Sequence, residues 1–547
     1  MARRRREDER GVQELDVLIV GAGISGIGCA YYLQRDQPQR SYAILEARGA
    51  TGGTWDLFRY PGIRSDSDLH TFGFEFKPWV SDEAIAQGPE ILRYIREAAA
   101  ENGIDRHVRL NHRVVSADWS AQTGRWLVEV ERTDVARRFQ ISARWLFCGT
   151  GYYRYDAGYT PDFPGVSAYR GRLVHPQQWP QRLDYAGKRV IVIGSGATAV
   201  TLVPALAEKA EHVTMLQRSP TYVVPLPSKD GLANTLRRLL GPRLGYDLAR
   251  RKNIAQQTLI YRFCQRYPGY ARATIRKLNT ARLPEGYPVQ EHFDPRYGPW
   301  DQRLCVAPDG DLFRVIRSGR ASVVTDTIER FTAEGIRLAS GRQLDAEIIV
   351  TATGLRLLAF GGIRFTVDGQ RMRLQDRLAF RGMMLSDMPN FAYLVGYTNA
   401  SWTLKVGLVG EHLSRILSHM DRNGYDVCVP RLPYPNMTTA PLLDFQAGYV
   451  LRALQDFPRQ GAYAPWRLPM DYYTDRRTLL DGPVEDRNLQ FQRLAAEGQG
   501  VGDREATAAD ATTGSAALHA ARPGTDMRSG REATVGSRGA AHVDVAA

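Results

Sequence analysis

The sequence predicts an α/β protein with two Rossmann-like dinucleotide-binding domains and a helical insertion in the second. Three observations predict it. An apolar run rich in branched residues, residues 15–20 (LDVLIV), leads straight into Gly21-Ala22-Gly23-Ile24-Ser25-Gly26 and a helix-like stretch. A second run, residues 188–193 (KRVIVI), leads into Gly194-Ser195-Gly196-Ala197-Thr198-Ala199 and another helix-like stretch. The chain has 547 residues, beyond the size at which one hydrophobic core stops growing, so more than one domain is required.

Residues 1–11 (MARRRREDERG) read as a charged, solvated arm. The segment has no apolar centre and no cleavage site, so it is not a secretory signal. No apolar run reaches the length of a membrane-spanning helix. The five cysteines, Cys29, Cys148, Cys264, Cys305 and Cys428, are scattered and never form a C-x-x-C pair. That argues against a disulfide framework, a zinc site and a dithiol reductase, and for a reducing, cytoplasmic setting with no metal site.

Residues 12–160 are the first part of the first dinucleotide-binding domain. Gly21 and Gly23 permit a tight turn and close approach to a pyrophosphate, and Gly26 lets helix and strand pack closely. The helix that starts around Ser25 offers unpaired N–H groups and a positive dipole end to the phosphates. A strand at residues 42–45 ends in Glu46, twenty residues past Gly26, where such a unit places the acid for the ribose hydroxyls. Residues 161–186 form an interdomain linker, and residues 187–340 the second domain. Its strand at residues 212–216 ends in Gln217-Arg218-Ser219. An acid there would favour NAD. Arg218 instead offers a planar cation suited to a 2′-phosphate, which reads as an NADPH site.

Residues 228–283 interrupt that domain. Between Ser228 and Leu283 stand thirteen Lys or Arg against two Asp, so this segment carries most of the net charge of +13. Two readings stay open: a rim resting on anionic membrane, or a solvated helical insertion. Residues 341–494, beginning near an ATG-type strand (AEIIVTATGL), return to the first domain, and residues 495–547 read as a disordered tail.

Two further motifs carry a resemblance. Residues 169–180 (YRGRLVHPQQWP) lie between the two glycine signatures and read Tyr169-x-Gly171-x-x-x-His175-x-x-x-Trp179-Pro180. Residues 52–66 match G-G-x-W-x-x-x-x-[YF]-P-G-x-x-x-D at every fixed position, from Gly52 and Gly53 through Trp55, Tyr60, Pro61 and Gly62 to Asp66. Both patterns resemble the Baeyer–Villiger type of class B flavin monooxygenase, and within it the mycobacterial ethionamide-activating group. The first differs in beginning with Tyr where the family has Phe.

The resemblance implies FAD as prosthetic group, NADPH as reductant and O2 as co-substrate. It implies oxygenation of small apolar ketones to esters through a flavin C4a-peroxide, with S-oxygenation of thioamides or thioethers. By the same resemblance Thr54, Trp55, Asp56, Leu57, Arg64, Ser65 and Asp66 line the flavin, and Val114 meets its adenine. Arg303 matches the active-site arginine, which would favour the peroxide anion, with Asp66 holding it in place. The family commonly has Lys-Arg there; this chain has Gln302-Arg303, leaving more of the phosphate selectivity to Arg218. His175 reads as a hinge and packing residue, and Trp402 as a substrate wall.

Three rival readings remain. A plain N- or S-oxygenating flavin monooxygenase needs neither Asp66 nor Trp179-Pro180. A pyridine nucleotide–disulfide reductase needs a cysteine pair the chain lacks. A redox sensor or polyanion binder would use the basic insertion, but no nucleic-acid motif accompanies it.

Overall fold

The computed structural model describes residues 12–302, 304–434, 436–443 and 447–494. Arg303, the arm at 1–11 and the expected tail at 495–547 lie outside the described residues.

The first sheet contains β1 (Gln13–Val20), β2 (Tyr42–Leu45), β3 (Val108–Arg109), β4 (His112–Ser120), β5 (Arg125–Arg132) and β6 (Arg137–Cys148). Among the described residues it has nine strands, in the order Gln370–Arg371, Arg364–Val367, β4, β5, β6, β1, β2, β3, with Phe391–Tyr393 beside the end of β6. β1 runs parallel to β2 and β6, so Val20 faces both Leu45 and Cys148. Three strand ends therefore converge where Gly21 begins, the usual place for a ligand on such a sheet. The unbroken apolar run of β1 suits this central, covered position.

Four helices follow on this side: α1 (Ile24–Asp36), α2 (Thr54–Leu57), α3 (Leu69–Phe72) and α4 (Gly88–Glu101). The later helix Thr403–Asn423 packs across α1 at close range. A Cβ on Gly28 would lie 2.3 Å from Val406, and one on Gly410 would lie 2.7 Å from the Tyr32 ring.

The second sheet is wholly parallel. It contains β7 (Arg172–Val174), β8 (Arg189–Ile193) and β9 (His212–Gln217), in the order Ala321–Thr325, β9, β8, Ile348–Thr351, β7. Helix α5 (Ala197–Leu206) follows the second glycine signature.

Two boundaries differ from the expectation. The stretch at 161–186 is more than a linker, because its centre is the edge strand β7. The return to the first unit does not begin at 341, because Ile348–Thr351 pairs with β7 and β8. The chain crosses back only after Gly354, where Leu357 bridges Tyr153 and Arg364–Val367 joins β4. The apolar run was legible; which sheet it entered was not, because a buried parallel strand reads alike in either.

The basic insertion forms α6 (Gly231–Arg266) and α7 (Pro268–Thr280). Asp230 caps α6 by accepting from Ala233 N at 3.0 Å, and Gly241 (φ 80°), followed by Pro242, breaks it into two helices. The insertion is not simply solvated: one face of residues 242–266 is buried against the first unit.

Candidate active site

The first glycine signature forms an enclosed cradle. Gly21 has φ +99°, and a Cβ there would fall 2.7 Å from Gly149 O. A Cβ on Gly26 would fall 1.9 Å from Gly21 O, so only glycine lets α1 start against this turn. Gly23 faces Gly53 closely: a Cβ on Gly53, itself at φ +56°, would lie 3.2 Å from Gly23 Cα. The doubled glycine of residues 52–53 thus closes the cradle from above. Glu46 is buried, and its carboxylate accepts from Ala22 N at 2.9 Å and Arg48 N at 3.0 Å. Burial raises its pKa while those two N–H groups pull the other way. Oε2 accepts from Ala22 N and Oε1 from Arg48 N, which leaves lone pairs on both for ribose hydroxyls. Ser25 is buried, and its hydroxyl accepts from Trp402 Nε1 at 2.8 Å. Trp402 thereby stands against this cradle, beside the Tyr152 ring at 5.2 Å.

Residues 52–66 run from this cradle to α5. The Thr54 hydroxyl lies 3.4 Å from Tyr155 OH, and the Trp55 ring meets Phe72 edge-on at 5.7 Å. Leu57 is partly buried in the second unit's core. Tyr60 is buried, hydrogen-bonds the Thr198 side chain, and has its hydroxyl pKa pushed up to about 12, chiefly by burial. A Cβ on Gly62 would lie 2.9 Å from Thr201 O, so the backbone rests directly on α5. Arg64 pairs with Asp311 of the second unit, while its other terminal nitrogen, Nη2, is buried without a hydrogen-bond partner among the described residues. That orphaned donor fits a site for a polar cofactor group. Ser65 is buried and its hydroxyl donates to Ser67 O at 2.6 Å. Asp66 is half-buried, and its charge adds to the rise at Tyr60.

Two expected contacts take another form. The Asp56 carboxylate is committed to Arg48 at 2.7 Å, Arg96 at 2.9 Å and Arg59 at 3.2 Å. With three guanidiniums around it, Asp56 braces α2 against α4. Val114 is a core side chain of β4, beside a bulge before Ser116, so any contact it makes to an adenine falls to its backbone.

The second signature forms an open cradle. Gly194 has φ +137°, and a Cβ there would lie 2.4 Å from Ala352 O. Gly196 and Ala197 are exposed, and a Cβ on Gly196 would meet nothing within 4 Å. Ala199, in the first turn of α5, is buried at the packing position that a glycine would otherwise take. The Ser195 hydroxyl donates to Ser219 O at 3.1 Å, joining the glycine turn to the end of β9. Arg218 is exposed and makes no ion pair among the described residues, a free cation beside an open helix N-terminus. That donor set fits a phosphorylated dinucleotide.

In the central motif, Tyr169 OH donates to Ala346 O at 2.9 Å. A Cβ on Gly171 would fall 2.2 Å from that hydroxyl. The His175 Nδ1 accepts from Gln177 N at 3.2 Å, and its Nε2 lies 3.2 Å from Gly354 O. Burial lowers its pKa. His175 therefore pins the crossing at 352–354, as a packing residue does. Arg303 lies outside the described residues.

Sequence reasoning missed a buried trio below Trp402. Lys405 Nζ and Tyr397 OH both bond Asp475 Oδ2 at 2.6 Å, all three nearly inaccessible. Lys405 and Tyr397 flank Trp402 in one stretch, but Asp475 is seventy residues away and no spacing links them. Among the described residues no cluster of His, Cys, Asp and Glu could hold a metal ion, and no helix is long and apolar enough to cross a membrane.

A glycine-rich cradle after a parallel strand of each of two sheets, one mixed and one wholly parallel, defines a two-dinucleotide flavoprotein oxidoreductase. Residues 18–228 match the pyridine nucleotide-disulphide oxidoreductase family. The chain is 53% identical over 485 residues to the FAD-containing monooxygenase EthA of Mycobacterium tuberculosis, covering 88% of this chain and 99% of that protein. It is 47% identical over 484 residues to the probable FAD-binding monooxygenase AlmA of Acinetobacter baylyi, covering 88% and 97%. Among solved structures, an oxidized steroid monooxygenase bound to NADP superposes with a TM-score of 0.65 at 24% identity over 77% of this chain and 88% of that one. An open cyclohexanone monooxygenase superposes with a TM-score of 0.65 at 21% identity over 78% and 91%.

The chain belongs to the FAD-containing monooxygenases. It is a flavoprotein oxidoreductase that puts one atom of O2 into a small-molecule substrate, and the two-domain fold is that of Baeyer–Villiger enzymes. The disulfide-reductase rival falls away, since all five cysteines are buried free thiols.

Proposed function

We propose that this chain is a Baeyer–Villiger monooxygenase that uses NADPH to reduce its FAD and inserts oxygen into apolar ketones, also S-oxygenating thioamides or thioethers. The observation that carries this reading is the path of residues 52–66. The segment closes the first cradle at Gly53, rests on α5 of the second at Gly62, and ends at half-buried Asp66. Bound FAD supplies the redox and oxygen-transfer chemistry. The protein's share is placement, exclusion of water and charge.

In this reading Gly21, Gly23, Gly26 and Glu46 hold the FAD pyrophosphate and ribose. Thr54, Trp55, Leu57, Arg64 and Ser65 border its ring, and Trp402 walls the substrate side. Gly194, Ser195, Gly196, Thr198, Arg218 and Ser219 hold NADPH, with Arg218 on the 2′-phosphate. Arg303 favours negative charge on the reacting oxygens, and Asp66 orients Arg303 by a charge-assisted hydrogen bond. Losing a donor of that kind costs roughly 3–4 kcal/mol of barrier.

The test is product analysis. FAD-loaded enzyme receives NADPH, isotopically labelled O2, and phenylacetone together with a thioether. An ester carrying one labelled oxygen supports the reading; sulfoxide without ester moves the chain to the N- and S-oxygenating alternative.

We also propose peripheral contact with anionic membrane through α6. Its outer side exposes Leu239, Leu244, Leu259 and Phe263, with exposed Arg251 and Arg266 beside them. Sedimentation with phosphatidylglycerol vesicles but not phosphatidylcholine vesicles is the expected result, and equal recovery with both would reject it.

A further inference from the structure

The inner face of α6 touches both segments that the proposed chemistry needs. After the break at Gly241 its inward side carries buried Tyr246, Arg250, Asn253 and Cys264 and partly buried Gln257 and Tyr261, spaced in chain order by four, three, four, four and three residues, with buried Ala249 and Ile254 alongside. That spacing is one stripe of an α-helix. The exposed leucines Leu244, Leu248 and Leu259 lie two residues out of step, on the opposite side.

The stripe grips residues 68–74, which begin two residues past Asp66. Tyr246 OH donates to Phe74 O at 2.9 Å. Arg250 is buried, and its guanidinium donates to His70 O at 3.1 Å, Thr71 O at 3.0 Å and Gly73 O at 2.8 Å. It makes no ion pair with a carboxylate among the described residues; its charge rests on the carbonyl end of α3. Asp68 caps that same turn by accepting from Thr71 N at 3.1 Å. The Asp68 carboxylate in turn accepts from Asn253 Nδ2 at 2.8 Å and from Gln257 Nε2. α6 thus holds both ends of the turn after Asp66. Further along, the Tyr261 ring meets Trp300 edge-on at 5.8 Å, three residues before Arg303 in the chain. From the other side Thr403 Oγ1 donates to Thr71 O at 3.1 Å, so the turn is clamped between α6 and the helix beside Trp402.

We propose that this stripe is a positioning device for oxygen transfer, and that Arg250, Asn253 and Gln257 are positioning residues that set Asp66 relative to the segment carrying Arg303. The inference rests on the roles given above to Asp66 and Arg303. A buried cation spent on backbone carbonyls, together with Tyr246, Asn253 and Gln257, fixes this segment from the α6 side, and small misplacements of reacting groups cost large factors in rate. The basic insertion then has two faces with two tasks, the inner one serving the chemistry.

The experiment uses FAD-loaded holoenzyme with NADPH and phenylacetone. Four quantities are read: FAD content, anaerobic rate of FAD reduction by NADPH, product per NADPH, and hydrogen peroxide per NADPH. Arg250→Met and Gln257→Leu are expected to keep FAD content and reduction rate. Their product per NADPH falls roughly tenfold, the scale of one lost hydrogen bond to a charged group, with peroxide rising to match. Arg250→Lys keeps a cation for the three carbonyls and recovers part of the product. Arg251→Met, on the exposed side, behaves as wild type.

Wild-type coupling in folded Arg250→Met and Gln257→Leu overturns the proposal. So does a fall in reduction rate in step with coupling, which marks general damage. Should Arg250→Met not fold, Gln257→Leu decides. Asp66→Asn is run alongside. If it uncouples while the stripe variants do not, only this inference fails. If it stays fully coupled, the reading of Asp66 fails and this inference with it.

Discussion

The two glycine cradles share a motif and differ in what surrounds them. At the first, Gly21, Gly23 and Gly26 are hemmed by Gly149 and Gly53, Glu46 is buried, and Trp402 stands on Ser25. At the second, Gly196 faces open space, and Ala197, Arg218 and Ser219 are exposed. The difference predicts which of two bound dinucleotides would stay and which would exchange. A dinucleotide enclosed by protein on several sides leaves only when the walls move, whereas one held at an open helix end and a surface arginine can leave at each turnover. Under the proposed assignment, the walls rather than the glycines predict a resident FAD and a visiting NADPH.

The walls of the first cradle offer the largest test. Asp475→Ala leaves Lys405 buried and unpaired and is expected to cost about 3–5 kcal/mol, read as lost thermal stability and FAD retention. An unchanged midpoint would mean that the enclosed side does not depend on this trio. Gly26→Ala places a methyl on Gly21 O and is expected to cost about 3 kcal/mol and give FAD-poor protein. Its counterpart Gly196→Ala has room for the methyl, so it should fold and hold FAD while the KM for NADPH rises. Equal damage from both would erase the contrast between the cradles.

Arg218→Ala sharpens the open side. It should raise the KM for NADPH by about 10- to 100-fold, the value of a hydrogen bond to a charged group, and leave NADH use nearly unchanged. A preference for NADPH that survives would place the phosphate elsewhere. Acid tests the enclosed side by a different route. His412 lies in the helix packed over α1, with Nδ1 2.6 Å from Leu479 O and Nε2 3.1 Å from Arg381 Nη1. Its Nδ1–H donates and its Nε2 accepts, so the folded ring is neutral. Burial, helped by Arg381, lowers its pKa from 6.5 to about 3. The unfolded chain then takes up a proton that the folded one refuses. This contribution is whole above about pH 6.5 and is lost toward pH 3, by about 1.4 kcal/mol per pH unit. Denaturation curves between pH 7 and 5 check it, and His412→Gln should flatten the slope.

Both cradles and the segment joining them were legible in the sequence, because glycine at close backbone approaches has no substitute and leaves a fixed spacing. The place of Arg218 was legible for a related reason: it follows a strand whose end is set by its apolar run. What was not legible depends on distant partners. Asp56 occupies a flavin-lining position in the motif, yet Arg48 and Arg96, from elsewhere in the chain, take its carboxylate. The inward stripe of α6 was hidden by charge: Arg250 reads as one of thirteen basic residues until the structure shows it buried on three carbonyls. The pairing of β7 with Ile348–Thr351 joins residues more than 170 apart in sequence, beyond the reach of local pattern.

The most direct test of the contrast between the cradles is a single gel-filtration step. Enzyme saturated with FAD and NADP⁺ is passed through a column free of both, and each is quantified on the eluted protein. Elution with FAD at full occupancy and NADP⁺ largely gone is the result expected from one enclosed and one open cradle. Loss of both together, or retention of NADP⁺ with loss of FAD, would contradict it.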